Sequence, residues 1–212
     1  MKKPKFKLVD DLSIADWVKE SLYPSVPENY SKLGSDIPDC FESYISIRNE
    51  VQVSPERWFP PFNHEKLVVK LMDYTSTPEH CYYGMWDGFG IDYENTHSYL
   101  FEGKGKFFDG LNNKYRYSNL LHFEDRDYYL LEGTLIDSLK IVDFSWAYQV
   151  HEYVNLMWPS DRSWFLAKEI DFEVTLIGGT KELIDELENS GLFQTERFDP
   201  KISGVEIYLA DT

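Results

Sequence analysis

Apolar residues recur along the chain at two spacings, three to four residues in some stretches and two in others, which predict helices and strands respectively. Near the start, Ile14, Trp17 and Val18 share a helical face, predicting a helix over residues 13–21 with Ser13 as N-cap and Asp16 close to a capping-box position. Leu67, Val68 and Leu71 predict a helix over residues 64–73 packed on a sheet. Leu183, Ile184 and Leu187 predict another over residues 181–190, with Gly191 as its C′ stop. Pro24, Pro27 and Pro38, with Gly34, form one irregular connection and Pro55, Pro60 and Pro61 a second, because proline lacks an amide donor and restricts the residue before it.

Phe41, Ile45 and Ile47 mark a strand ending near Arg48. Short aromatic strands split by glycine follow at residues 81–86, 98–102, 128–134, 163–170 and 174–177, with a closing strand at 205–209. Helices falling between strands imply an α+β fold: a single domain over residues 37–212, with a mixed or mostly antiparallel sheet and helices packed on it. Residues 1–36 are expected to lie on that domain as a tail, helix and loop.

Charge narrows the function classes. The 212 residues carry 37 acidic groups against 21 basic ones, a net charge of −16. Such a surface repels phosphate backbones and anionic head groups, which removes the main attraction for sequence-independent binding to nucleic acid or membrane. No run approaches the roughly 18 apolar residues of a membrane span. Lys2, Lys3, Lys5 and Lys7 are followed by Asp10, Asp11 and Asp16 instead of a signal-peptide core. Cys40 and Cys81 form no CxxC pair and suit reduced thiols, so a soluble cytoplasmic protein is expected.

The familiar catalytic patterns are missing from the sequence. The histidines, at 64, 80, 97, 122 and 151, lack ligand spacing. His151-Glu152-Tyr153-Val154-Asn155 starts like a zinc-protease helix but has Asn where the second histidine must stand. His80 and Cys81 are neighbours on a strand and so point to opposite faces, which separates thiol from base. Gly178-Gly179-Thr180-Lys181 joins a strand to a helix, where free amides can hold an anion, but it lacks the phosphate-loop spacings and reads as a structural turn capped by Thr180. No catalytic, cofactor-binding or metal residue is assigned, and no cofactor is expected.

Three stretches remain. Glu169, Asp171 and Glu173 alternate with apolar residues, so in an extended segment their carboxylates line one face about 7 Å apart. That row suits a divalent cation, an acid–base pair or a basic partner, against the plainer reading of a solvated strand face. Residues 103–119 interleave Lys104, Lys106, Lys114 and Arg116 with aromatics, and on so acidic a chain they read as a hairpin gripping the acidic body. The densest group is Trp158-Pro159-Ser160-Asp161-Arg162-Ser163-Trp164. There Asp161 can organise the turn, Arg162 can bind a carboxylate in bidentate fashion, and two indoles can flank the guanidinium. Turned outward with Trp86 and Asp87, the group frames a pocket for a carboxylate, a sugar face or a peptide. Turned inward, it is a buried turn stitched to the core.

The same residues carry a resemblance. Trp158 to Trp164, then Ala167, Glu169, Ile170 and Asp171, then Gly178-Gly179-Thr180, resemble a family of bacterial proteins, common in actinobacteria, that has a WWPxDRAW element and a later VGGS turn. Thr77-Pro78-Glu79 through Cys81 to Trp86-Asp87-Gly88-Phe89-Gly90 is similar to that family's TPxxCWFAVWxGxG segment. Ile37-Pro38, Phe41-Glu42 and Tyr44 match its strand-entry region. The similarity spans residues 37 to 188 in order, departing at Met157 and Tyr82, where tryptophan is usual, and at Thr180 for serine. It implies a bacterial single-domain protein and supplies no catalytic residues. The function expected from the whole reading is an acidic protein-interaction module, of the immunity or antitoxin kind, that binds a basic partner. The alternative is a small-molecule-binding protein or enzyme with a pocket lined by Trp, Asp and Arg.

Overall fold

The computed structural model describes residues 7–22, 37–48, 53–54, 57–58, 64–86, 120–123, 126–139, 154–168 and 174–200. The strands expected at 98–102 and 205–209 and the basic hairpin at 103–119 lie outside them. Within them, β1 (Lys7–Leu8), β2 (Ser43–Arg48), β5 (Cys81–Trp86), β6 (Leu121–Phe123), β7 (Arg126–Gly133), β8 (Leu156–Pro159), β9 (Trp164–Lys168), β10 (Val174–Gly179) and β11 (Thr195–Arg197) form one sheet, and β3 (Val53–Ser54) and β4 (Arg57–Trp58) a separate pair. The large sheet runs β1-β7-β5-β8-β9-β10-β2-β11, with β6 beside β7, and every described pairing is antiparallel. The helices are a 3₁₀ turn (Leu12–Ala15), α1 (Asp16–Glu20), α2 (His64–Met72) and α3 (Lys181–Asn189). The chain thus combines helices with a large antiparallel sheet.

Both faces of this sheet are buried, which explains why β8 and β10 are buried at every residue instead of at alternate ones. On one face Ile45, Ile47, Tyr83, Met157, Trp164, Leu166 and Ile177 meet Leu67, Val68 and Leu71 of α2 and Leu183, Ile184 and Leu187 of α3. On the other, Tyr44, Leu130, Leu156, Trp158, Phe165 and Leu176 meet Val9, Ala15, Val18 and Ile37. The first residues of the chain therefore do two jobs: Lys7 and Leu8 extend the sheet along β7, and the segment after them covers one face.

Local chemistry moved several boundaries. The first helix is capped by Asp11, whose carboxylate accepts from the Ser13 amide, so the turn begins before Ser13 and starts as 3₁₀. Gly178 and Gly179 are strand residues. Each is pressed by a neighbour: a Cβ on Gly178 would stand 2.6 Å from the Phe41 ring, and one on Gly179 2.7 Å from Leu183. Thr180 then caps α3, its hydroxyl accepting from the Leu183 amide, while the Glu42 carboxylate takes the Lys181 amide at 3.0 Å. The anion-holding amide at this helix start already has a resident carboxylate. Gly191, at φ 65°, ends the helix in the left-handed conformation, as expected.

Candidate functional site

The β8–β9 hairpin ends in the turn Pro159–Ser163, which is fastened to the loop between α2 and β5. The Asp161 carboxylate accepts from the Thr75 hydroxyl at 3.0 Å, from the Ser76 amide at 2.6 Å and hydroxyl at 2.8 Å, and from the Ser163 amide at 3.1 Å. The Asp161 amide donates to Thr77 Oγ1, and the Ser160 amide to the His80 carbonyl. Burial alone would raise the Asp161 pKa, but hydrogen bonds from Ser76 and Ser163 outweigh it and hold the carboxyl below its ordinary range. A carboxylate with this many donors is a fastener. Thr75 and Ser76 carry no sequence motif of their own and Thr77 enters only through the family resemblance, although a run of three hydroxyls before Pro78 is a signal of loop chemistry.

The two tryptophans bracketing the turn face opposite ways. Leu156 pairs with Ala167 and Met157 with Leu166, so the same register sets Trp158 across from Phe165, and Trp164 belongs to the other face. Trp158 stacks on Phe165, with centroids 5.6 Å apart and planes at 20°. Trp164 is fully buried under α2, its indole N–H donating to the Leu71 carbonyl at 3.1 Å. The indole beneath the guanidinium is neither of them: Arg162 lies 5.2 Å above the ring of Trp17. Trp17 is the hub of this corner, edge-on to Phe41, Trp158 and Phe165 at 5.9 to 6.3 Å. Its Nε1 is sealed from solvent without a hydrogen-bond partner.

The other candidate residues spread out. Trp86 ends β5 on the same face as Trp158, four residues beyond Tyr82, the residue that pairs with Trp158; that is about 13 Å along a strand. There it carries its own cation, Arg126, 5.8 Å above its ring, and its amide donates to the buried Asn155. Asp87 and the row Glu169, Asp171 and Glu173 lie outside the described residues. Among the described residues no three His, Cys, Asp or Glu side chains gather as a metal site. Cys81 is buried, which pushes its thiol up to about 12 and away from nucleophilic chemistry. The arrangement therefore joins Trp158, Arg162 and Trp17 into an aromatic corner topped by an exposed guanidinium, with Asp161 anchoring it from the side.

Comparison of the chain with protein-family models, with curated proteins and with solved structures gives no match to any of the three.

Arg162 adopts φ 57°, a left-handed conformation that costs a non-glycine residue about 1 kcal/mol. Its cation–π contact with Trp17 returns about 0.5 to 1 kcal/mol. Arg162→Ala keeps the strain and loses the contact, whereas Arg162→Gly loses both. Urea titrations are expected to show the alanine variant destabilised by about 0.5 to 1 kcal/mol and the glycine variant within about 0.5 kcal/mol of the parent. Equal losses in both would mean that the backbone strain at this turn is not relieved by glycine.

Proposed function

We propose that the chain is a cytosolic protein-interaction module, of the immunity or antitoxin kind, that binds a basic protein partner. The observation that carries this reading is the layer formed by the turn before α1, α1 itself and residue 39. Asp10, Asp11, Asp16, Glu20 and Asp39 are all exposed there, on the layer built around the partly buried Trp17. Asp16 and Glu20 stand one helical turn apart, and the Asp39 amide bonds the Ser21 carbonyl, which draws the last carboxylate toward the helix end. Lys19 is the described cation within that helix. A net charge of −16 steers a cationic protein toward such a patch, although Arg162, lying over the Trp17 ring, adds a second cation beside it. A pocket framed by both turn tryptophans is the weaker reading, since Trp158 and Trp164 sit on opposite faces and the Asp161 oxygens are already occupied.

The test is co-purification of the intact protein with basic proteins of its own cell, alongside the triple variant Asp16→Lys, Glu20→Lys, Asp39→Lys. A partner held by the parent at low salt, released at high salt and not held by the variant is the expected result. Equal retention by parent and variant, or no retained partner at low salt, would overturn the reading. The Bacterial family resemblance is part of the same proposal, as the source in which a toxin-like partner would be sought.

A further inference from the structure

Two exposed corners of the molecule use arginine in different ways. Arg197 is tied by its guanidinium to Asp185, Glu188 and Ser43. Arg162, exposed on the β8–β9 turn, lies over the Trp17 ring, and its guanidinium makes no hydrogen bond or ion pair with a described residue. Its surroundings are nevertheless acidic. Trp17 stands in α1 between Asp16 and Glu20. At Cys40, the neighbour of Asp39, desolvation raises the thiol while the Arg162 charge pulls the other way, so the guanidinium is close to that end of the layer too. A planar fork of donors is thus held among carboxylates without being taken by one of them.

The turn fixes where that fork stands. Asp161 is fastened on one side of it, the Ser163 amide donates back to Asp161 on the other, and the Arg162 amide donates to the Pro159 carbonyl at 2.9 Å. Glycine takes a φ of 57° freely, whereas arginine is strained there, and the contact with Trp17 does no more than offset that strain. Stability therefore does not account for an arginine at this position. Strained residues held in place by their surroundings concentrate where a protein meets a ligand.

The surrounding charge selects what the fork can bind. A free carboxylate or phosphate is repelled by a net charge of −16 before it reaches the guanidinium. A partner that is basic throughout is drawn in, but it covers Arg162 unpaired and sets like charges against each other. A basic partner with one carboxylate opposite Arg162 meets neither penalty: its cations face Asp16, Glu20 and Asp39, and its carboxylate faces the fork. We propose that Arg162 recognises a single carboxylate set among the basic residues of a protein partner, in a bidentate bond, and so discriminates among basic proteins that the acidic layer alone would hold alike. This inference rests on the interaction reading above and names the feature of the partner that its charge does not specify.

The probes are two lysine-rich peptides, identical except for a central glutamate in one and glutamine in the other, titrated into the intact protein by calorimetry at low salt. Charge alone favours the glutamine peptide, which carries the larger positive charge. Arg162 is expected to reverse that order, the glutamate peptide binding about 3-fold tighter. In Arg162→Gln the glutamine peptide is expected to bind tighter again, the variant's urea midpoint confirming that it folds. Arg162→Lys keeps the charge and loses the fork, and is expected to narrow the preference for glutamate. Equal or glutamine-first binding by the parent overturns the role of Arg162 and leaves the acidic layer standing, as does a glutamate preference that persists in a folded Arg162→Gln variant. Binding of neither peptide by the parent overturns the acidic layer as a receptor, and this inference with it.

Discussion

Replacing Trp164 with alanine is expected to lower the unfolding free energy by about 4 kcal/mol in urea titrations, because a fully buried indole leaves a cavity that its neighbours cannot refill. The site is hemmed in on all sides. Sheet residues Met157, Leu166 and Ile177 lie on the same face, α2 and α3 cover it, and the Gly179 backbone is already pressed by Leu183. The indole also does polar work. Its N–H reaches the Leu71 carbonyl near the end of α2, where helical carbonyls run out of amides; the Tyr74 amide takes the other lone pair. Trp164→Phe keeps most of the packing and loses that bond, so its loss is expected to be about 1 to 2 kcal/mol. If the alanine variant lost under about 1 kcal/mol, the layer of α2 on the sheet would not be as closed as described.

Asp161→Ala is the second large effect, at about 2 to 3 kcal/mol, trimmed by the partial exposure of the carboxylate. It removes the acceptor that holds Thr75, Ser76 and the Ser163 amide together, and so frees the loop before β5 from the β8–β9 turn. The same group gives a signed pH dependence. Its folded pKa lies below the unfolded value of about 3.9, so its contribution is fully present above that value and is lost as pH falls through the folded one. The gap in stability between parent and Asp161→Ala, measured by urea midpoints, should therefore be widest near neutral pH and shrink below about pH 4. A gap that stayed constant down to about pH 2 would mean that the hydrogen bonds do not depend on the ionised form.

Periodicity found the elements whose apolar residues repeat strongly enough to fix a face. Leu67, Val68 and Leu71 placed α2, Leu183, Ile184 and Leu187 placed α3, and the alternation around Ile45 and Ile47 placed β2. It passed over β1, β6 and β11, which are two or three residues long and too short to show a period. It also passed over β8, where Met-Trp-Pro between two irregular stretches resembles a loop. Gly178 and Gly179 read as a turn because glycine usually supplies conformational freedom. Here their missing side chains make room for Phe41 on one face and Leu183 on the other, a demand set by residues distant in sequence. The candidate corner was half legible. The turn itself stood out, but strand alternation separated its two tryptophans, and the ring that receives Arg162 comes from Trp17, near the other end of the chain, which no local pattern connects to it.

The position of β2 has a consequence for how the molecule is made. Emerging among the first fifty residues, it is hydrogen-bonded on one side to β10 and on the other to β11, both near residues 174 to 197. Until the ribosome has released that far part of the chain, the strand lacks the described partner of either edge. Lys7 and Leu8 likewise wait for residues 131 and 132. Assembly is therefore dominated by distant closures, toward the slow end of folding rates, and leaves an early apolar strand open to pairing with another molecule until its own partners emerge.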